Sequence, residues 1–347
     1  LSSKWSSLSF AELLIFITLF LFNLNECKAT KILLDITYLC LMSLLEDKGV
    51  NTTPISTLGE FGLIEHLTKD LIVKNPSTIT GVGDDAAVIE MGDKYQLIST
   101  DLLVEGVHFD LAYTPLKHLG YKAVAVNVSD ICAMNGDAKQ ITVGLAMSNR
   151  FTVEALDELY EGINLACEHY NVDVVGGDTT SSTSGLMISV TVLGEVAKEN
   201  IVYRSGAQVN DLVVCTGDLG AAYLGIQLLN RENQMFKDNP KMQPDLTGND
   251  YVLKRQLKPE AAVKYTKILK ELEIIPTSMI DISDGLSSEV LHLAKASSVG
   301  ITIHEDKIPI DYTAMNLATE FNMNPIVCAL SGGEDYELLF TISQAHY

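Results

Sequence analysis

The dipeptide Gly-Lys occurs nowhere in this sequence, and neither does His-Arg-Asp. The first absence excludes a P-loop, and the second excludes the catalytic loop of the protein kinases. A twelve-residue EF-hand calcium loop is missing too. Cys27, Cys40, Cys132, Cys167, Cys215 and Cys328 are scattered, with no Cys-x-x-Cys pair and no histidine-rich partner segment, which argues against zinc and fits reduced thiols in a cytoplasmic protein. Positive charge is scarce: 24 Lys and Arg stand against 45 Asp and Glu, a net charge of -21. Such a chain lacks the basic surface that sequence-independent binding to nucleic acid or to an anionic membrane requires, so neither is expected as a partner. An acidic protein that binds a polyphosphate must bring cations with it.

What is present is ordinary globular composition, 47% hydrophobic and 20% charged, over 347 residues, enough for two domains with cores of their own. The start is different. LLIFITLFLFNL, at 13–24, is an apolar run shorter than the roughly 20 residues of a membrane span. Met42 then opens a polar stretch, MSLLEDKGVNTTPIS, that reads as an ordinary protein start. Residues 1–41 are therefore taken as an extraneous extension, the rival being a signal core or short anchor.

From Leu58 the pattern is mixed α/β. Apolar spacing predicts a helix over GEFGLIEHLTKDLI, a strand over 95–100, a helix over 116–134, a strand over 140–147, a helix through Leu156 to Cys167 and a strand over 186–196. A polar connection, 197–210, separates this half from a second beginning with the strand DLVVCTG, so the expected domains are 42–197 and 198–347. The second half carries a helix after Gly220, a polar loop over 231–250, a helix over 259–272, the strand TSMIDIS, a helix over 285–297 and the strand ELLFTIS.

Carboxylates recur at the ends of these apolar elements, beside glycine or a hydroxyl residue. The segments are GVGDDAAVI (81–89), ISTDLLVEGVHF (98–109), AVNVSDICAM (125–134), VVGGDTT (174–180) and IDISDGLSSE (280–289). Any one alone reads as a turn or a helix cap. Together they set Asp85, Asp101, Asp130, Asp178, Asp281 and Asp284 among apolar neighbours, where desolvated charges must be paired or coordinated. Several magnesium ions fit this better than calcium, since oxygen ligands from separated segments suit an ion that bridges phosphates. In the absence of a P-loop lysine, such ions must neutralise the phosphates.

These segments, with YRSGA (203–207) and LSGGEDYELLFT (330–341), resemble in order and spacing the thiamine-monophosphate kinase family, over about Gly59 to Ile342. That family groups with aminoimidazole-ribonucleotide synthetase and selenophosphate synthetase. The resemblance implies a two-domain α/β fold in which the N-terminal domain binds ATP and magnesium and forms a β-barrel across a homodimer, with an α/β C-terminal domain. It implies magnesium ligands at Asp85, Ser99, Thr100, Asp101, Asp130, Asp178 and Asp281, with Asp284 a further metal position. ATP contacts are implied at Gly177, Asp178, Arg204 and Ser283, and substrate contacts at His108 and Glu334. Asp130, Asp101 and Asp85 stand as the catalytic carboxylates. The implied reaction is direct in-line transfer of the γ-phosphoryl group of ATP to thiamine monophosphate. The family also has a further C-terminal segment with an aromatic contact to thiamine, so the second domain is expected to be incomplete.

Two other functions compete. A selenophosphate synthetase carries a reactive cysteine or selenocysteine and a glycine-rich, lysine-bearing stretch before the first of these motifs, and neither precedes GVGDD here. A non-catalytic acidic metal-binding module would have no need of a magnesium-dependent ATP site.

Overall fold

The structure, a computed structural model, describes residues 52–346. The expectations for residues 1–41 lie outside the described residues. Two compact units divide between Leu71 and Ile72. Helix α1, Gly59–Thr68, belongs to the first, and everything below to the second.

Six strands form the larger sheet: β1 (Thr78–Thr80), β2 (Ala87–Met91), β3 (Lys94–Val104), β4 (Asp137–Met147), β5 (Asp173–Ser181) and β6 (Met187–Ala197). Their order is β1-β2-β3-β6-β4-β5, antiparallel except for the parallel pair β4 and β5. That parallel pair needs a crossover, supplied by helix α3 (Val153–Tyr170). Burial alternates strictly along β6, with Ile188, Val190, Val192 and Val196 facing the core, so the sheet buries one face.

That face is covered by helix α2, Leu116–Ala133, which is buried on nearly every side. Helices α2 and α3 meet at backbone distance through two glycines. A Cβ at Gly120 would stand 2.0 Å from the Leu159 carbonyl oxygen, and one at Gly162 would stand 1.8 Å from that of Lys117. No side chain fits at either crossing point.

The smaller sheet has the order β7-β9-β8, all antiparallel, from β7 (Leu212–Cys215), β8 (Ser278–Asp281) and β9 (Leu338–Ile342). Around it lie α4 (Ala221–Asp238), α5 (Asp250–Leu257), α6 (Val263–Glu271), α7 (Leu286–Ser297), α8 (Tyr312–Glu320) and α9 (Pro325–Ser331). One core continues through both sheets, joining Leu97, Ile131, Val143 and Val190 to Met279, Leu338 and Phe340. No helix among the described residues is long and apolar enough to cross a membrane.

Three elements depart from the sequence reading. The Gly-Gly pair in VVGGDTT suggests a turn, yet β5 runs straight through it: a Cβ at Gly177 would lie 1.9 Å from the Val143 carbonyl oxygen, so glycine is what lets the strand lie so close to β4. The polar stretch expected as a loop over 231–250 is helical up to Asp238 and again from Asp250. Finally, the strand expected over 95–100 runs on to Val104, which places Asp101 inside β3 rather than after it; the six-stranded sheet of one chain is open, with β1 and β5 as its edges.

Candidate active site

Alternation along β3 puts Ser99 and Asp101 on the α2 side of the sheet and Thr100 on the other. The Thr100 hydroxyl accordingly donates to the Val190 carbonyl at 3.0 Å and accepts from Thr191 at 3.0 Å, on the far face. Opposite β3, the last turn of α2 carries Ser129 and Asp130. Asp281 ends β8, and the loop between β1 and β2, turned by Gly83 at a φ of +124°, delivers Asp84 and Asp85. Four segments far apart in sequence thereby converge.

One oxygen from each of Asp85, Asp130 and Asp281 can be chosen so that all lie within 4.8 Å of one another. Each carboxylate is oriented by a donor. Ser99 donates to Oδ2 of Asp130 at 2.6 Å, Ser129 to Oδ2 of Asp281 at 2.6 Å, and Nη2 of Arg204 to Oδ1 of Asp85 at 2.5 Å. The Arg204 backbone N–H also donates to the Asp84 carboxylate at 3.2 Å. The backbone of Asp101 is fixed by its N–H donating to Asn127 Oδ1 at 3.1 Å, while Asn127 donates to the Ala123 carbonyl at 2.9 Å.

These groups repel one another. Burial first, then the charges of Asp101, Asp281 and Asp85, hold Asp130 well above the ordinary carboxylate range. Burial and then Asp85 push Asp281 up to about 8, and burial with the neighbouring Asp85 pushes Asp84 up to about 6. Burial also raises Asp85, against the pull of Arg204, and raises Asp101 against the charge of His108. Asp130 additionally sits in the last turn of α2, where the helix dipole disfavours an anion. Arg204 brings one guanidinium to these five carboxylates.

The donor set suits a hard cation. All the converging ligand atoms are carboxylate or hydroxyl oxygens, and Oδ2 of Asp85 is buried with no hydrogen-bond partner among the described residues. A cation there would relieve the repulsion and occupy the orphaned acceptor.

The remaining predicted residues spread around this centre. His108 is half-buried, its Nδ1 accepting from the Val104 N–H at 3.0 Å, so a neutral ring carries its proton on Nε2. Ser283 and Asp284 are exposed on the loop after β8; the Ser283 carbonyl accepts from the Glu334 N–H at 2.7 Å and the Asp284 N–H donates to Glu289 at 2.9 Å. Gly177 and Asp178 lie exposed on β5. Asp178 shares a row with Gly144, Ser189 and Leu102, one residue out of step with the row of Asp101, and so falls on the opposite face of the sheet. Within one chain the structure brings Asp85, Asp101, Asp130 and Asp281 together and leaves Asp178 apart.

The orienting residues escape sequence reasoning. Asn127 and Ser129 are polar positions in the apolar run AVNVSDICAM, and Lys122 is the one charge in KAVAVNV; polar groups inside a helix buried all round are the signal that marks them.

The sheet with one helix-covered face ends on this cluster of oxygen ligands, and within it residues 83–196 match the family described as AIR synthase related protein, N-terminal domain. Curated relatives narrow this. The chain is 37% identical over 291 residues to the thiamine-monophosphate kinase of Bacillus subtilis (strain 168), covering 84% of this chain and 85% of that one. It is 37% identical over 287 residues to that of Aquifex aeolicus (strain VF5), covering 83% and 87%. The chain belongs to the thiamine-monophosphate kinase family. A solved structure described as AaThiL complexed with AMPPCP and TMP superposes with a TM-score of 0.76 at 34% identity, covering 86% of this chain and 89% of that one. Hydrogenase maturation protein HypE in complex with ATP, at 17% identity and a TM-score of 0.60, covers 82% of this chain and 79% of that one, and shares the fold.

Proposed function

We propose that this chain transfers the γ-phosphoryl group of ATP directly to the phosphate of thiamine monophosphate, giving thiamine diphosphate and ADP. The observation that carries the proposal is the trio of buried Asp85 and Asp281 with half-buried Asp130, whose repulsion and orphaned oxygen call for cations. An AMPPCP- and TMP-bound protein of the same fold and 34% identity supports it.

Magnesium ions would be held by Asp85, Ser99, Asp101, Asp130 and Asp281, with Asp284 at the periphery; Thr100 and Asp178, also implied as ligands by the resemblance, face the other side of the sheet within one chain. Bound there, the ions would screen phosphate charge and favour the charge distribution of the transfer. Ser99 and Ser129 keep the carboxylates turned inward, and Arg204, already poised over Asp85, offers the remaining guanidinium N–H groups to phosphate oxygens. Gly177 and Ser283 would complete the nucleotide contacts, and His108 and Glu334 would face the acceptor. The attacking atom is a phosphate oxygen that is largely ionised near neutral pH, so positioning and charge neutralisation, rather than a strong base, carry the rate.

A boundary near residue 198 falls between the residue ranges of the two sheets, which share one core. A homodimer closing the larger sheet into a barrel is supported by β5, an edge strand exposed along its whole length with Val174 and Val175 uncovered. Incubating the chain with ATP, magnesium and thiamine monophosphate and resolving thiamine compounds by chromatography tests the function. Thiamine diphosphate appearing only with all three is expected, and its absence would refute the proposal.

A further inference from the structure

The middle of α2 buries one ammonium group. Lys122 has a side chain only 3% exposed, and its Nζ donates to Oε2 of Glu334 at 2.8 Å. The same oxygen accepts a second bond, from Nε2 of the buried Gln256 on α5, also at 2.8 Å. Oε1 of Glu334 takes part in no hydrogen bond shown among the described residues, and the side chain is 26% exposed. Backbone geometry fixes the other end: Gly333 and Glu334 both adopt left-handed φ, +70° and +61°, and the Glu334 N–H donates to the Ser283 carbonyl at 2.7 Å.

We infer that Lys122 is a positioning residue: with Gln256 it pins one carboxylate oxygen of Glu334 so that the other is presented, pre-oriented, to a hydrogen-bond donor on the phosphate-accepting substrate. A free glutamate would rotate among rotamers; the ammonium both pairs with it and removes that freedom. A lysine buried this deeply needs a counter-charge, and Glu334 supplies one from a loop of the second sheet. The pairing therefore ties α2, which carries Asp130, to the segment that contacts the acceptor. It rests on the function proposed above.

Steady-state kinetics with magnesium-ATP and thiamine monophosphate test it on five variants, Glu334→Gln alone among them. Lys122→Met should raise KM for thiamine monophosphate by about 10- to 100-fold, the scale of one hydrogen bond to a charged group, while KM for ATP stays unchanged. Lys122→Arg should recover part of that loss. Gln256→Met, which touches the same oxygen from α5, should shift the same KM, and it carries the test should Lys122→Met fail to fold. Lys122→Met combined with Glu334→Gln should be no worse than the poorer single variant. An unmoved KM for thiamine monophosphate in both anchor variants, or both KM values rising together without recovery in Lys122→Arg, would overturn the pairing. Absence of turnover in the unmodified chain would instead sink the proposed function and the pairing with it.

Discussion

Ser129 and Asp281 stand 152 residues apart in sequence, yet the serine hydroxyl donates to the aspartate carboxylate at 2.6 Å inside the core. That bond fastens the last turn of α2 to the end of β8, and so holds the two sheets' carboxylates in one place. Its neighbour in sequence, Asp130, is oriented the same way by Ser99.

Ser129→Ala leaves a buried carboxylate oxygen without its donor. It should cost about 1–3 kcal/mol of stability, the penalty for an abandoned buried acceptor, and should weaken magnesium binding. Chemical denaturation and calorimetric titration check the two effects; variants indistinguishable from the parent in both would count against the bond's role.

Gly120→Ala places a methyl 2.0 Å from a carbonyl oxygen of α3, so the helices must part. Overpacking of this kind costs about 1–3 kcal/mol or more. Thermal melting should fall clearly, whereas Gly300→Ala, where nothing lies within 4 Å of the new carbon, should leave it almost unchanged.

Much of this site is legible in the sequence and part of it is not. The segments of Asp85, Asp101, Asp130 and Asp281 could be read because apolar periodicity fixes the elements they belong to or adjoin, although Asp101 lies inside β3 rather than at its end. The side of the sheet to which Asp178 points could not, because β5 itself was hidden by a Gly-Gly pair whose use, close approach to Val143, exists only in the folded state. Helix α5 was missed for a similar reason: its sequence, DYVLKRQL, is mostly polar, and tertiary burial of Val252 and Gln256 helps hold it against the core. The role of Lys122 exists only in the fold, where Glu334 meets it across 212 residues.

The raised carboxylates set a pH dependence whose sign is fixed. Asp281 rises from 3.8 to about 8, so its protonated form favours the folded state below 3.8, and that advantage is lost as pH climbs towards about 8. Asp130 shifts in the same direction. Without metal, this site should therefore destabilise the protein progressively between those limits, and magnesium should raise the melting temperature more near about pH 8 than near about pH 6, where protons compete for the ligands. Melting curves with and without chelator at the two pH values check this; an equal magnesium effect at both would contradict it.

The most direct test of a carboxylate cluster built for cations and phosphoryl transfer is Asp130→Asn, measured for both folding and turnover. Asparagine keeps the size and removes the charge that Asp101, Asp281 and Asp85 oppose, so the metal-free variant should melt at the same temperature as the parent or higher. Formation of thiamine diphosphate should nevertheless drop by at least about 10²-fold, the range for loss of one preorganised electrostatic contact. A variant that folds and still transfers the phosphoryl group at ordinary magnesium concentration would contradict the account.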